Sequence, residues 1–304
     1  MRKVKISLPA TITNLGPGLN SLGLALSLRA TVEIRERSDE QLIVETEGEG
    51  AGRYSIGLRH PVVLGMIRVF QQVERAPLGM TIKVDSKIPP ACGLGAETAF
   101  LLAGIIAANN LLGNPFSREQ TLDLAVQAVK RADAVVTAML GGLTASTLND
   151  GIITHRALPI APLTLIAVVP EIESYAENAR RASPERVPLS DALANLSKMP
   201  LLVEALRGGD LKLLANVLDD QLRAPLLRPH IPGYGHVVEM ARRSGAQAIT
   251  LSGDGPALIA FAEKNHKQIA EAMQTAFQNS GVKARTWLLN TDMQGVVLSV
   301  AQSA

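Results

Sequence analysis

Ile88-Pro-Pro-Ala-Cys92-Gly93-Leu94-Gly95-Ala96-Glu97-Thr98-Ala-Phe100 is the stretch on which the reading of this chain turns. A Pro/Gly-rich loop, Ile88–Gly95, runs directly into a continuous apolar segment, Glu97–Leu112, that reads as a buried helix. Glycines leave backbone N–H groups free to approach anionic oxygens, and a helix N-terminus adds a favourable partial charge. Gly93, Leu94, Gly95, Ala96, Glu97 and Thr98 therefore form a candidate phosphate loop. The plainer reading is a set of turn glycines, with Glu97 stabilising its own helix.

Two more glycine-rich segments lie outward from this one. Upstream, Asn14-Leu-Gly16-Pro-Gly18-Leu-Asn20 sits in a Gly/Pro-rich loop over Asn14–Gly23, between alternating runs at Val4–Leu8 and Thr31–Arg37 that read as strands. Downstream, Ser252-Gly253-Asp254-Gly255-Pro256 separates short strands at Ala248–Ser252 and Ala257–Ala262. Ser117 with Gln120 has the form of a capping box opening a helix that Gly141-Gly142 ends. Further helices are expected over Leu189–Leu206, Asp210–Leu218, Gly235–Ser244 and Lys264–Ser280, and strands over Leu163–Val169, Val282–Leu289 and Gly295–Ala301. Mixed strands and helices in this order give an α+β class in two lobes. Pro159 and Pro162 punctuate the chain, and the expected division is 1–156 and 157–304.

Composition narrows the possibilities. With 47% hydrophobic and 19% charged residues, the chain has ample core material and no signature of disorder. A net charge of +2 argues against a nucleic-acid or membrane partner. One cysteine, Cys92, excludes an internal disulfide and a cysteine-based metal site, and the five histidines show no metal-ligand spacing. The N-terminus has no apolar run of signal-peptide length, so a soluble cytoplasmic protein is expected.

In order and spacing, the three glycine-rich segments resemble the three signature motifs of the GHMP kinase superfamily, and the first is similar to the NLGPGFD segment of the homoserine kinase family. Ala179-Arg180 and Ile231-Pro-Gly-Tyr234 add to the likeness, which covers essentially the whole chain. The resemblance implies an N-terminal ribosomal-protein-S5-like lobe, a C-terminal ferredoxin-like lobe, ATP with Mg²⁺, and a homodimer. It also implies a place in threonine biosynthesis, with phosphoryl transfer to the hydroxyl of homoserine or a similar small metabolite. It assigns substrate contacts to Asn14, Asn20 and Arg180, and a third phosphate-side motif to Ser252, Gly253, Asp254 and Gly255; Arg131 is added as a candidate substrate contact because it forms a basic pair with Lys130.

Several positions depart from the family's pattern. GLGSSAA becomes Gly93-Leu-Gly-Ala96-Glu97-Thr98-Ala99, so one hydroxyl is a methyl and the next a carboxylate. The EGHPDN segment aligns with Val129 to Ala134, where Asp133 alone matches and the metal-binding Glu is Val129. The Asp expected to hold the substrate's ammonium is Asn20, and an expected Arg is Leu227, one residue before Arg228. Glu97 and Asp254 place acid near a triphosphate, which predicts weak nucleotide binding. The loss of charge at positions 20 and 227 predicts poor use of homoserine, and Lys130 with Arg131 would favour a more anionic ligand. Two readings follow: an ATP-dependent kinase, or a kinase-shaped relative that binds a metabolite or protein and transfers nothing.

Overall fold

The computed structural model describes residues 2–173, 175–182 and 186–302. It is built on a long antiparallel hairpin of β1 (Arg2–Leu15) and β2 (Gly18–Arg37). Val4, Ile6 and Leu8 are buried while Lys5 is exposed, the period of two that puts alternate side chains on one face. The segment expected as a loop, Asn14–Gly23, is mostly strand, and only Gly16-Pro17 forms the turn. Asn14 and Asn20 make this tight reversal possible. Both adopt positive φ, 52° and 53°, and the Asn20 N–H donates to Asn14 Oδ1 at 2.9 Å.

β3 (Leu42–Gly48), α1 (Pro61–Val73) and β4 (Gly79–Ser86) form a crossover, with β3 parallel to β4 and β4 antiparallel to β2. β5 (Leu143–Asn149) and β6 (Ile152–Leu158) extend the sheet from the other end of β2. α2 (Ala96–Leu111) packs on α1 and on β1. It is buried nearly all round, as its unbroken apolar sequence requires. A Cβ on Gly104 would stand 1.9 Å from the Val62 carbonyl oxygen, so glycine sets the closeness of α1 and α2.

The single helix expected from Ser117 to Gly141 is two: α3 (Arg118–Val129), opened by the Ser117–Gln120 capping box, and α4 (Ala132–Leu140). Lys130 takes a left-handed φ of 59° and Arg131 is extended, a break that no glycine or proline announces.

The second sheet has the antiparallel order β10-β7-β9-β8, from β7 (Thr164–Pro170), β8 (Ala248–Leu251), β9 (Leu258–Phe261) and β10 (Ala284–Asn290). Numbered along this lobe, that is the 4-1-3-2 order of a ferredoxin-like sheet. Between β7 and β8 come α5 (Tyr175–Arg181), α6 (Leu189–Gly208), α7 (Leu211–Val217), α8 (Ala224–Leu227) and α9 (Tyr234–Arg243), and α10 (His266–Asn279) joins β9 to β10. β7 is apolar on both faces. Leu165, Ala167 and Val169 join the core shared with the first lobe, while Ile166 and Val168 pack with Val237, Ile269 and Phe277 beneath α9 and α10.

The lobes do not meet at one point along the chain. β6 runs on to Leu158, and the last strand, β11 (Val297–Gln302), returns to pair antiparallel with β1 in the first sheet. Among the described residues, no helix is long and apolar enough to cross a membrane.

Candidate active site

The three glycine-rich segments meet. Thr11 N–H donates to the Leu94 carbonyl (3.0 Å), Gly253 N–H to the Thr13 carbonyl (2.8 Å), and Ala257 N–H to the Cys92 carbonyl (3.1 Å). Ser252 Oγ donates to the Gly93 carbonyl at 2.7 Å. The approach is close enough that a Cβ on Gly93 would lie 1.9 Å from the Ser252 carbonyl oxygen. Gly95 and Gly255 line the same cleft of about 630 Å³, together with Thr11, Glu97 and Arg131.

Two features of this cleft point to an anion. α2 begins at Gly95 with no side-chain cap, so its first N–H groups take no side-chain acceptor. Thr11, 2% exposed, lines the cleft with a hydroxyl that has no hydrogen-bond partner among the described residues, and a buried polar atom of that kind is costly unless a ligand satisfies it. Ala96 is buried, Thr98 is partly buried, and Glu97 is exposed in the first helical turn. Among the described residues, Glu97 forms no hydrogen bond or ion pair. Cys92 is a buried filler. Its thiol lies 3.1 Å from the Pro89 carbonyl, and burial pushes its pKa up to about 12.

The α3–α4 break brings Arg131 into the site. Its Nε and Nη2 donate to both carboxylate oxygens of Asp133, at 2.9 and 2.6 Å. Nη2 also reaches Asn14 Oδ1 (3.1 Å) and Thr13 Oγ1 (3.2 Å). Asp133 is 1% exposed, so it is a buried support for Arg131 rather than a ligand. Lys130 is exposed and lines neither compartment of the cleft, which removes half of the basic pair expected to attract an anionic substrate.

A second compartment of about 380 Å³ opens beside the first and shares Arg131 and Asp254 with it. Asn14, Asn20 and Arg223 complete its polar lining. Asp254, expected from the sequence as an acid near the phosphates, is paired: its Oδ1 accepts from Asn14 Nδ2 and Arg223 Nε, each at 3.3 Å. The Tyr175 hydroxyl donates to the Asp254 carbonyl at 2.7 Å and holds the turn.

Sequence reasoning missed two site residues, Thr11 and Arg223. Leu227, aligned with the family's Arg, is 1% exposed in the core, and Arg228 pairs with Asp219 and lies against the Tyr234 ring. Arg223 stands one helical turn before Leu227, a spacing of four that could have singled it out. Buried Asp220 accepts its backbone N–H at 2.9 Å and so fixes the start of α8. Arg180 lies in α5, and its side chain is outside the described residues. Val129, at the end of α3, offers no metal ligand, and the described residues hold no cluster of three or more His, Cys, Asp or Glu side chains suited to a metal.

Comparison with known proteins fits this arrangement. The GHMP kinases N terminal domain family matches residues 61–142, and the GHMP kinases C terminal family matches residues 202–279. The chain belongs to the GHMP kinases. A homoserine kinase of Moorella thermoacetica is 36% identical over 91% of this chain and 94% of its own length. That of Parasynechococcus marenigrum is 34% identical over 97% and 95%. The crystal structure of homoserine kinase from Cytophaga hutchinsonii superposes with a TM-score of 0.86 at 25% identity, covering 98% of this chain and 97% of that one. L. major mevalonate kinase, at 16% identity and a TM-score of 0.70, shares the fold. Within the GHMP kinases, the chain belongs to the homoserine kinase family, and these likenesses favour an active kinase over a relative that transfers nothing.

Proposed function

We propose that this protein transfers the γ-phosphoryl group of ATP to the side-chain hydroxyl of homoserine. The observation that carries this is the pair of joined compartments. One is a glycine-walled anion cradle, the other a polar chamber with charges of both signs, and they meet at Arg131 and Asp254. In the first, the uncapped start of α2 and the Thr11 hydroxyl receive phosphate oxygens. In the second, Asn14, Asn20, Arg131 and Arg223 surround a small zwitterion, and Arg180 remains a further contact suggested by family likeness. Bond formation joins the hydroxyl oxygen to the γ-phosphorus, the bridging oxygen leaves with ADP, and the hydroxyl proton is released.

The cleft also suits a divalent cation. Mg²⁺ keeps several waters and takes one or two carboxylates plus substrate phosphates, so a dedicated protein cage is not needed. Two carboxylates line this cleft, and Glu97, with Thr98 beside it, is the one that has no cationic partner among the described residues, Asp254 being paired with Arg223. Bound there, Mg²⁺ would supply charge neutralisation between the phosphates. The protein's own part is positioning and electrostatics, in keeping with phosphoryl transfer generally. Arg131, clamped by Asp133 and Asn14, presents a fixed positive charge where the compartments join. A cytoplasmic location, a homodimer and a place in threonine biosynthesis belong to this proposal on the strength of the family alone.

The test is a coupled assay of ADP release with homoserine, threonine and serine as acceptors. Homoserine turnover at about 1–100 s⁻¹, well above the other two, is expected. ADP release that no acceptor stimulates would overturn the proposal.

A further inference from the structure

We propose that Asp254 selects the substrate by receiving its α-ammonium group, with Arg223 and Asn14 as positioning residues that hold the carboxylate for this task. The inference rests on the amino-acid kinase reading above. Its basis is the charge arrangement of the second compartment. Asp254 is the one carboxylate among the described residues that line it. Asn20 is there as a neutral amide, which forms hydrogen bonds to an ammonium without charge assistance. Arg131 is already matched by buried Asp133, so this carboxylate is not available to a ligand.

Asp254 is both held and open. Its Oδ1 takes two long bonds, from Asn14 and Arg223, while Oδ2 accepts none from the described residues. An ionised carboxylate offers about four acceptor sites, so capacity remains for a cation. Its side chain is 46% exposed, in contrast to the 1% of Asp133. The backbone on which it stands is fixed on both sides: Gly253 N–H bonds Thr13, and Tyr175 bonds the Asp254 carbonyl. The acceptor is thus set before the ligand arrives, which reduces the ordering cost of binding. Asp254 also borders the phosphate compartment, so an amino acid anchored there by its ammonium has its side chain next to the transferred group.

Calorimetric binding of L-2-aminobutyrate and of butyrate tests the assignment without requiring turnover. The two differ in the ammonium group alone. The wild type should prefer the amino acid. Asp254→Asn should weaken L-2-aminobutyrate binding by about 10-fold or more, the scale of a lost charge-assisted bond, and leave butyrate binding unchanged or tighter. Asp254→Glu, which keeps the charge, should retain part of the preference, and a cooperative urea-unfolding transition in both variants with the slope of the wild type should show that the fold is intact. Equal changes for the two ligands, or no change in either, would overturn the assignment. So would an Asp254→Asn variant whose homoserine KM is unchanged while kcat falls and loses its acidic limb, because that is the pattern of a general base. Failure of the kinase reading is seen separately, as absent homoserine turnover in the wild type.

Discussion

Glu97 stands in the first turn of α2, where the partial charge of the helix favours a carboxylate and a bound triphosphate opposes it. At about 4 Å and an effective dielectric near 20, each pair of like charges repels by roughly 4 kcal/mol before screening. A dication between them reverses the sign. ATP affinity should therefore depend steeply on Mg²⁺ in the wild type. In Glu97→Ser, binding of metal-free ATP should tighten by about 10-fold or more, and the gain on adding Mg²⁺ should shrink by a similar factor. Titration calorimetry with ATP in EDTA and in Mg²⁺ reads both. An identical Mg²⁺ gain in wild type and variant would show that Glu97 does not hold the ion. Asp254, the other acid expected to repel the nucleotide, is engaged by Arg223, so the electrostatic argument rests on Glu97.

Among the elements, α1 has an unusual start. His60 is its N-cap: Nδ1 accepts the Val62 N–H at 3.2 Å, which leaves the proton on Nε2 to donate to Thr46 Oγ1 at 3.2 Å. The ring is 0% exposed, and burial pushes its pKa from 6.5 down to about 4. The unfolded chain then binds the proton first. Stability is full above about pH 6.5, is lost as pH falls towards 4, and loses nothing more from this group below that. At about 1.4 kcal/mol per pKa unit the loss is about 3 kcal/mol. His60→Asn keeps a good cap but does not titrate, so urea denaturation at pH 7 and pH 4.5 should show a smaller loss in the variant. An equal loss would place the acid sensitivity elsewhere. The α3–α4 break gives a second case. Lys130 carries a left-handed φ of 59°, and Lys130→Gly should stabilise the protein by about 0.5–1 kcal/mol in the same experiment. Destabilisation would mean that the lysine side chain contributes more than its backbone strain costs. These two elements also mark what local sequence could reveal. The Ser117–Gln120 box and the apolar run of α2 carry their signals within a few residues, so they were legible. The Lys130 break and the shortness of the reversal at Gly16-Pro17 were not, because a bond from Arg131 to Asn14 and one between Asn14 and Asn20 shape them. The glycine segments were legible as a site, yet the Asn14–Asp254 and Arg223–Asp254 contacts join residues 240 and 31 apart, beyond any local pattern.

At the scale of the whole molecule, the lobes are tied by a shared core, by ion pairs and by the returning chain. Arg285 of β10 makes a two-pronged pair with Glu49, beyond β3, at 2.7 and 2.9 Å. The return of β11 turns on Asp292. Its carboxylate is 8% exposed and pairs with Arg29, whose Nη2 also donates to the carbonyls of Ser7 (3.0 Å) and Gly295 (2.7 Å). Oδ1 of Asp292 accepts the N–H groups of Gln294 (2.9 Å) and Gly295 (3.1 Å), and its backbone bonds Ala25 and Gly142. One carboxylate thus aligns the chain leaving the second sheet with the edge of β1. Val297, Leu298 and Val300 are all more than a third exposed, so apolar burial alone holds β11 weakly. Asp292→Ala leaves the Arg29 charge unpaired and frees two backbone donors. Removing one partner of a buried pair costs about 3–5 kcal/mol, and the partial exposure of Arg29 places this case near the lower end. Hydrogen exchange should report the loss unevenly. Amides of the β1–β11 ladder should exchange about 100-fold faster, in proportion to about 3 kcal/mol of local stability, while those of the β7–β10 ladder stay protected. Uniform acceleration in both sheets would mean that the molecule opens as one unit and that Asp292 supports the global fold rather than the return of its last strand.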